Sequence, residues 1–130
     1  GDELAFPLAQ LHRYPFTEVI IGGMIGKMAK VSQGRFSTHV DQGGVDFGLL
    51  AEIAMAKGAS SAALQAIHFA VTGHQVQKLL APEQIFIEPE IAFRAATQVS
   101  DSLGGQKTVE VRIYSLAGDL LGNARLEREA

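Results

Sequence analysis

Few side chains in this sequence could do acid–base chemistry, and two of them stand out by their surroundings. His39 lies in a segment that alternates like a β-strand, and Glu52 lies in an apolar segment of helical composition. Histidine supplies a base near neutral pH. A carboxylate rarely lies on an apolar helix face without a partner. The two residues are therefore candidates for acid–base chemistry.

The other candidate residues have structural explanations. His12, His68 and His74 are scattered without the paired spacing of metal ligands, so neither a metal nor another cofactor is expected. Asp46 is interpreted as a helix N-cap, with a catalytic role as the alternative. The stretch GGMIG at 22–26 lacks the strand–helix context and the lysine of a phosphate-binding loop, and it is interpreted as a bend.

The composition is typical of one globular domain, predicted to span residues 1–130. Hydrophobic residues make up 47% of the chain and charged residues 19%, which argues against disorder. The absence of cysteine excludes disulfides and thiolate chemistry. The net charge is −3 and the basic residues form no cluster, so no nucleic-acid partner is expected. Since no apolar run approaches the roughly 20 residues of a membrane helix and no signal peptide is recognisable, we expect a cytoplasmic location without a membrane partner.

Three segments of the C-terminal half alternate between apolar and polar side chains, as half-buried strands do. They are QIFIEPEIAFRAA, QKTVEVRIYSL and LLGNARLERE. Pro89 cannot donate a ladder hydrogen bond, so it marks a bulge or an edge in the first segment. Gly118 and Asp119 turn the chain between the other two. The pattern predicts a three-stranded antiparallel meander, preceded by a less certain strand in AIHFAVTGHQV.

The middle of the chain predicts a buried helix. The segment from Asp46 to about Ser60 is apolar around most of its circumference, which is typical of a helix in the centre of a domain. Upstream, GRFSTHVD alternates as a strand. The predicted order is a short N-terminal helix, one or two strands, the buried helix and about four antiparallel strands. This order indicates an α+β fold of the hotdog type, in which one long antiparallel sheet wraps around a central helix.

Three stretches resemble the 3-hydroxyacyl-[acyl-carrier-protein] dehydratases. LHRYPF, residues 11–16, resembles their N-terminal signature. RFSTHVDQGGVDFGLLAEIAMAKGAS resembles their active-site segment, and DLLGNARLE resembles their last strand and that of related aryl-polyene dehydratase-like proteins. The resemblance implies a hotdog enzyme that dehydrates 3-hydroxyacyl thioesters in fatty acid or polyketide-type biosynthesis.

The resemblance also implies roles for individual residues and partners. His39 would be the catalytic base, and Glu52 of a second subunit would be the acid. The substrate-binding residues would be Gly43, Gly44, Phe47 and Gly48, because glycines and helix N-terminal amides let a thioester carbonyl approach the backbone. The implied partners are acyl carrier protein or a CoA thioester, in a homodimer, a higher even oligomer or a heterodimer with a related subunit.

Departures from the family pattern keep two alternatives open. The family's loop is rich in proline, whereas VDQGGVDFG has none. One alignment register places Glu52 at the acid position and another places Ile53 there. The first alternative is a hotdog thioesterase that uses Asp41 or Glu52 to activate water. The second is a non-catalytic hotdog protein that binds acyl chains or pairs with an active subunit.

Overall fold

The computed structural model describes residues 16–36 and 44–129. Within these residues the chain forms a three-stranded sheet and five α-helices. The strands are β1 (Glu18–Gly23), β2 (Thr108–Tyr114) and β3 (Leu120–Leu126). The helices are α1 (Ile25–Ser32), α2 (Phe47–Ala56), α3 (Ser61–Ile67), α4 (Gly73–Leu80) and α5 (Glu88–Ser102), with a 3₁₀ turn at Ala81–Glu83.

The sheet is mixed, with β2 in its centre. β1 pairs with β2 in parallel, and β3 pairs with β2 antiparallel. Val109, Val111 and Ile113 of β2 are fully buried, since α5 covers the sheet. Parallel neighbours need a crossover connection, and here all five described helices lie between β1 and β2 in the chain.

Helix α5 occupies the segment for which the sequence predicts a strand, and that prediction is wrong. Pro89 lies in the first turn of the helix, where its missing N–H has no intrahelical partner to lose. The buried side chains recur at helical spacing, namely Ile91, Ala92, Ala95, Ala96 and Val99. Residues 85–95 fit the period of a strand as well as that of a helix. The buried alanines favour the helix, because they let α5 lie close to α1 and the sheet.

Helix α2 confirms the predicted helix and its N-cap. The Asp46 side chain accepts a hydrogen bond from the backbone N–H of Leu49 at 3.1 Å. The helix is not buried all round, however. Leu50, Ile53 and Ala54 face the core, whereas Met55 is 62% exposed. It therefore packs on the surface of the domain against α3 and α4.

The prediction of a strand at AIHFAVTGHQV is also wrong. These residues form the end of α3, a turn, and the start of α4. Thr72 caps α4, and Gln75 completes a capping box with it. The T-x-x-Q spacing that marks this helix start is visible in the sequence.

The β2–β3 hairpin is confirmed, with Gly118 at φ +92° in its turn. The described residues are α+β, but they do not show the long antiparallel sheet around one helix that the hotdog prediction requires. The predicted N-terminal helix and most of the GRFSTHVD segment lie outside the described residues. No helix in the described part of the chain has the length and apolar character needed to cross a membrane.

Candidate functional site

A cleft of about 340 Å³ lies at the end of the sheet where the parallel strands β1 and β2 both finish. Three segments line it: Met24, Ile25 and Gly26 after β1; Thr72, Gly73, His74 and Gln77 on α4; and Tyr114 and Leu116 at the end of β2. Ligands of sheets with parallel strands bind at the carboxyl ends of the strands. The volume also lies in the range of small-molecule sites, about 300–1,000 Å³. This cleft is the candidate functional site.

The connection from β1 to α1 brings backbone amides to the cleft. Met24 occupies the N-cap of α1, and its side chain makes no capping hydrogen bond. The first N–H groups of a helix have no intrahelical acceptor, so they and the positive helix end are available to an anionic ligand group. The interpretation of GGMIG as a bend is therefore wrong, because this stretch joins a strand directly to a helix.

The start of α4 lies directly against the start of α1. A Cβ atom on Gly73 would lie 2.7 Å from Ile25 Cγ2 and 3.4 Å from the backbone nitrogen of Gly26. Glycine at this position thus permits the two helix N-termini to touch. Both helix N-termini therefore lie at the cleft, each with its partial positive charge.

The cleft is also lined by apolar and aromatic side chains. Met24 is 50% exposed and Leu116 is 78% exposed, so both offer apolar surface to the cleft. Tyr114 is the last residue of β2, and a Cβ on Gly22 would approach its ring to 3.1 Å. Hydrogen bonds with Glu110 and then with Tyr114 raise the pKa of the neighbouring Arg112 guanidinium, which stays positively charged.

One polar residue of the cleft is tied to a buried carboxylate. Gln77 Nε2 donates a hydrogen bond to Glu88 Oε2 at 2.8 Å. Glu88 is only 5% exposed, and its Oε1 has no partner among the described residues. The cleft thus combines amide donors, an apolar wall and a fixed glutamine, which suits a small ligand with both an anionic and an apolar part.

The structure does not place Glu52 in a buried site. Its side chain is 67% exposed and lies 3.8 Å from the Arg94 guanidinium. The neighbouring Ile53 is 2% exposed and faces the core. The helix therefore has the orientation in which Ile53, and not Glu52, points inward, so Glu52 lacks the surroundings that the acid hypothesis needs.

Those of the other predicted site residues that the structure describes do not line the cleft. Gly44, Phe47 and Gly48 lie at the start of α2, where the Gly44 carbonyl accepts a hydrogen bond from Arg35 Nη2 at 2.9 Å. None of these three lines the cleft. His39 and Gly43 lie outside the described residues, as do His12 and Asp41.

Two signals in the sequence could have indicated the cleft. The first is the closely spaced glycines of GGMIG directly after an apolar run, and the second is the capping box that begins at Thr72. Neither shows alone that the two segments meet, because their contact depends on how α4 packs against α1.

The comparisons with known proteins agree on one family. The model of the family described as "CbiD, C-terminal domain" matches residues 37–125. A cobalt-precorrin-5B C(1)-methyltransferase of Geobacillus thermodenitrificans is 37% identical over 125 residues, covering 95% of this chain and 34% of that protein. The enzymes of the same name from Priestia megaterium and Methylorubrum extorquens are 32% and 28% identical over 126 residues each, covering 95% and 96% of this chain and 34% and 35% of theirs. No solved structure matches this chain at a significant level.

These matches overturn the functional expectations that came from the resemblance. The dehydratase, thioesterase and non-catalytic hotdog hypotheses are wrong, and so are acyl carrier protein and CoA thioesters as partners. The expected oligomer came from the same resemblance and is not retained. LHRYPF, the stretch that carried most of the resemblance, precedes the residues that the family model matches. Short stretches of this length recur by chance, whereas the family match extends over most of the chain.

The chain spans about a third of the length of the curated relatives it matches. Within that span the match covers α2 to α5, β2 and most of β3, which together hold most of the lining of the cleft. By this match, the chain belongs to the CbiD family and carries its C-terminal domain.

Proposed function

We propose that this chain provides the methyl-donor site of a cobalt-precorrin-5B C1-methyltransferase. The cleft at the carboxyl ends of β1 and β2 carries the proposal. The relatives named for this reaction are about three times as long as the match. The proposal therefore assigns donor binding to this part and does not require this part to perform the whole reaction. A cytoplasmic location stays a prediction from the sequence.

The chemistry sets what the donor site must hold. A sulfonium donor such as S-adenosylmethionine gives up its methyl group to a carbon nucleophile, and the methyl–sulfur bonding pair stays on sulfur as a thioether forms. Such a donor has an aromatic base at one end and a carboxylate at the other. The apolar wall of Met24, Tyr114 and Leu116 suits the base. The N-termini of α1 and α4 suit the carboxylate.

The size of the cleft favours the donor over the corrinoid. A volume of about 340 Å³ is near the lower end of the range for small-molecule sites. A tetrapyrrole macrocycle with its acid side chains is wider and flatter than such a cleft. We therefore place the donor inside the cleft and leave the corrinoid to a surface beyond its mouth.

The test is binding of S-adenosylmethionine to the 130-residue chain by isothermal titration calorimetry. Leu116→Asp places a charged carboxylate in the apolar wall that is assigned to the base, and we expect it to weaken binding by at least about tenfold because the base would have to desolvate that charge. Phe69→Asp is the matched control, because Phe69 is 86% exposed and does not line the cleft. It should bind as the unchanged chain does.

Two outcomes would overturn the proposal. One is no binding of the donor to a chain whose folding is verified by circular dichroism. The other is equal weakening by Leu116→Asp and Phe69→Asp, because the effect would then come from net charge and not from the cleft.

A further inference from the structure

Glu88 is a buried acidic residue that the packing of the core does not account for. It is 5% exposed, it begins α5, and the N-terminal end of the helix favours its negative charge. Its Oε2 accepts a hydrogen bond from Gln77, and its Oε1 has no partner among the described residues. A buried carboxylate is costly unless it is fully hydrogen-bonded. An apolar residue here would avoid that cost, so the carboxylate needs another explanation.

The position of Glu88 is fixed by the backbone around it. A Cβ on Gly122 would lie 2.8 Å from the carbonyl carbon of Glu88 and 2.8 Å from the nitrogen of Pro89. β3 therefore lies in direct contact with the first turn of α5. The backbone that carries the carboxylate is therefore held in place, and the carboxylate itself is hydrogen-bonded to Gln77.

The bond to Glu88 decides which end of the Gln77 amide faces the cleft. An ionised carboxylate only accepts hydrogen bonds, so the NH₂ end of Gln77 must point toward it. Gln77 also lines the cleft. The carbonyl oxygen is the end of the amide that remains for a ligand. No aspartate or glutamate is among the described residues that line the cleft, so no carboxylate there competes with this oxygen for a ligand donor.

We propose that Gln77 presents its carbonyl oxygen to an O–H or N–H donor of the bound ligand, and that Glu88 is the positioning residue that sets this orientation. The inference rests on the proposed function, since it specifies one contact of the methyl donor. S-adenosylmethionine offers two groups of the required chemistry, the ribose hydroxyls and the amino-acid ammonium.

The test uses three variants of the 130-residue chain and the same calorimetric measurement. Gln77→Met removes the acceptor at similar size, and we expect S-adenosylmethionine to bind about tenfold more weakly. Glu88→Gln replaces a partner that only accepts by one that can also donate, so the Gln77 amide is no longer held in one orientation, and we expect weaker binding without a fall in Tm. In the double variant with Gln77→Glu and Glu88→Gln, the amide introduced at position 88 donates a hydrogen bond to the carboxylate introduced at position 77. That carboxylate again presents an acceptor to the cleft, and binding should recover.

Competition with two half-ligands identifies the donor group. Methylthioadenosine carries the ribose hydroxyls, and S-methylmethionine carries the ammonium. The half-ligand whose competition is weakened by Gln77→Met contains the group that Gln77 contacts. Glu90→Gln is the control on the same helix, because Glu90 pairs with Arg94 at 2.8 Å and does not line the cleft.

The outcomes separate this inference from the proposed function. If the unchanged chain binds no methyl donor, the proposed function fails. If Leu116→Asp abolishes binding while Gln77→Met and Glu88→Gln bind as the unchanged chain does, only the Gln77 inference is overturned. It is also overturned if both single variants weaken binding and the double variant does not recover it, because orientation would not then be the cause.

Discussion

Asp46 stabilises the start of α2 through both carboxylate oxygens. Oδ1 accepts from the Leu49 N–H at 3.1 Å, and Oδ2 accepts from Gln33 Nε2 at 2.9 Å. The hydrogen bond from Gln33, followed by that from Leu49, holds the pKa of this carboxyl below its usual value. Asp46→Ala leaves these donors without the carboxylate. We expect the free energy of unfolding in urea at pH 7 to fall by about 1 kcal/mol.

Asp46→Asn is the control for this cap. Asparagine keeps one side-chain oxygen for the Leu49 N–H but loses the charge and the second acceptor that Gln33 uses, so its loss of stability should be smaller than that of alanine. Equal stability of the alanine variant and the unchanged chain would show that the N-cap contributes nothing to folding.

Residues whose role depends on near neighbours could be predicted from the sequence. Asp46 is an example, because an N-cap needs only the residues that follow it. Glu52 is the opposite case. The face of α2 that meets the core depends on where α3 and α4 pack, and one residue along a helix is a rotation of about 100°. The sequence alone could not decide between Glu52 and Ile53.

The C-terminal elements show the same difference between features that are local in the sequence and features that depend on packing. The β2–β3 hairpin was predictable, since its alternation and its Gly118 turn are local. Helix α5 was not assigned correctly, because residues 85–95 fit a period of two as well as a helical period. The alanines at 92, 95 and 96 and the proline in the first turn favour the helix.

The contact between β3 and α5 depends on the missing side chain of Gly122. An added Cβ would lie 2.8 Å from backbone atoms of Glu88 and Pro89, which cannot move as a flexible side chain can. We expect Gly122→Ala to lower the free energy of unfolding by roughly 1–3 kcal/mol in urea. Asn123→Ala is the neighbouring control, because Asn123 is exposed. Equal stability of the two variants would contradict the close contact.

At the scale of the whole molecule, the cleft arises from parts that are distant in the sequence. Tyr114 and Leu116 are separated from Met24 by all five described helices. The sequence shows each part but not that they meet, because the parallel pairing of β1 with β2 leaves no local pattern. For this reason the candidate site predicted from the sequence, at His39 and Glu52, differs from the cleft.

A network of charges joins all three strands and makes the stability of the whole molecule depend on pH. The Arg125 guanidinium pairs with Glu18 on β1, with Glu110 on β2 and with Glu127 just after β3. These carboxylates, with Glu127 as the largest cause, raise the pKa of Arg125, which stays charged. Glu110 also accepts from Arg112 Nε at 2.6 Å. The hydrogen bond from Arg112, followed by that from Arg125, lowers the pKa of Glu110 from its usual 4.5.

A carboxyl whose pKa is lower in the folded state stabilises the fold at every pH above its unfolded value. That stabilisation is lost as the pH falls through the folded value. We therefore expect Tm, measured by circular dichroism, to fall as the pH drops below 4.5, and Glu110→Gln to reduce this fall. Glu52→Gln is the matched control, since its carboxylate is 67% exposed and its 3.8 Å contact with Arg94 is largely screened by solvent. If both glutamine variants show the same fall as the unchanged chain, the network at Glu110 does not link the three strands energetically.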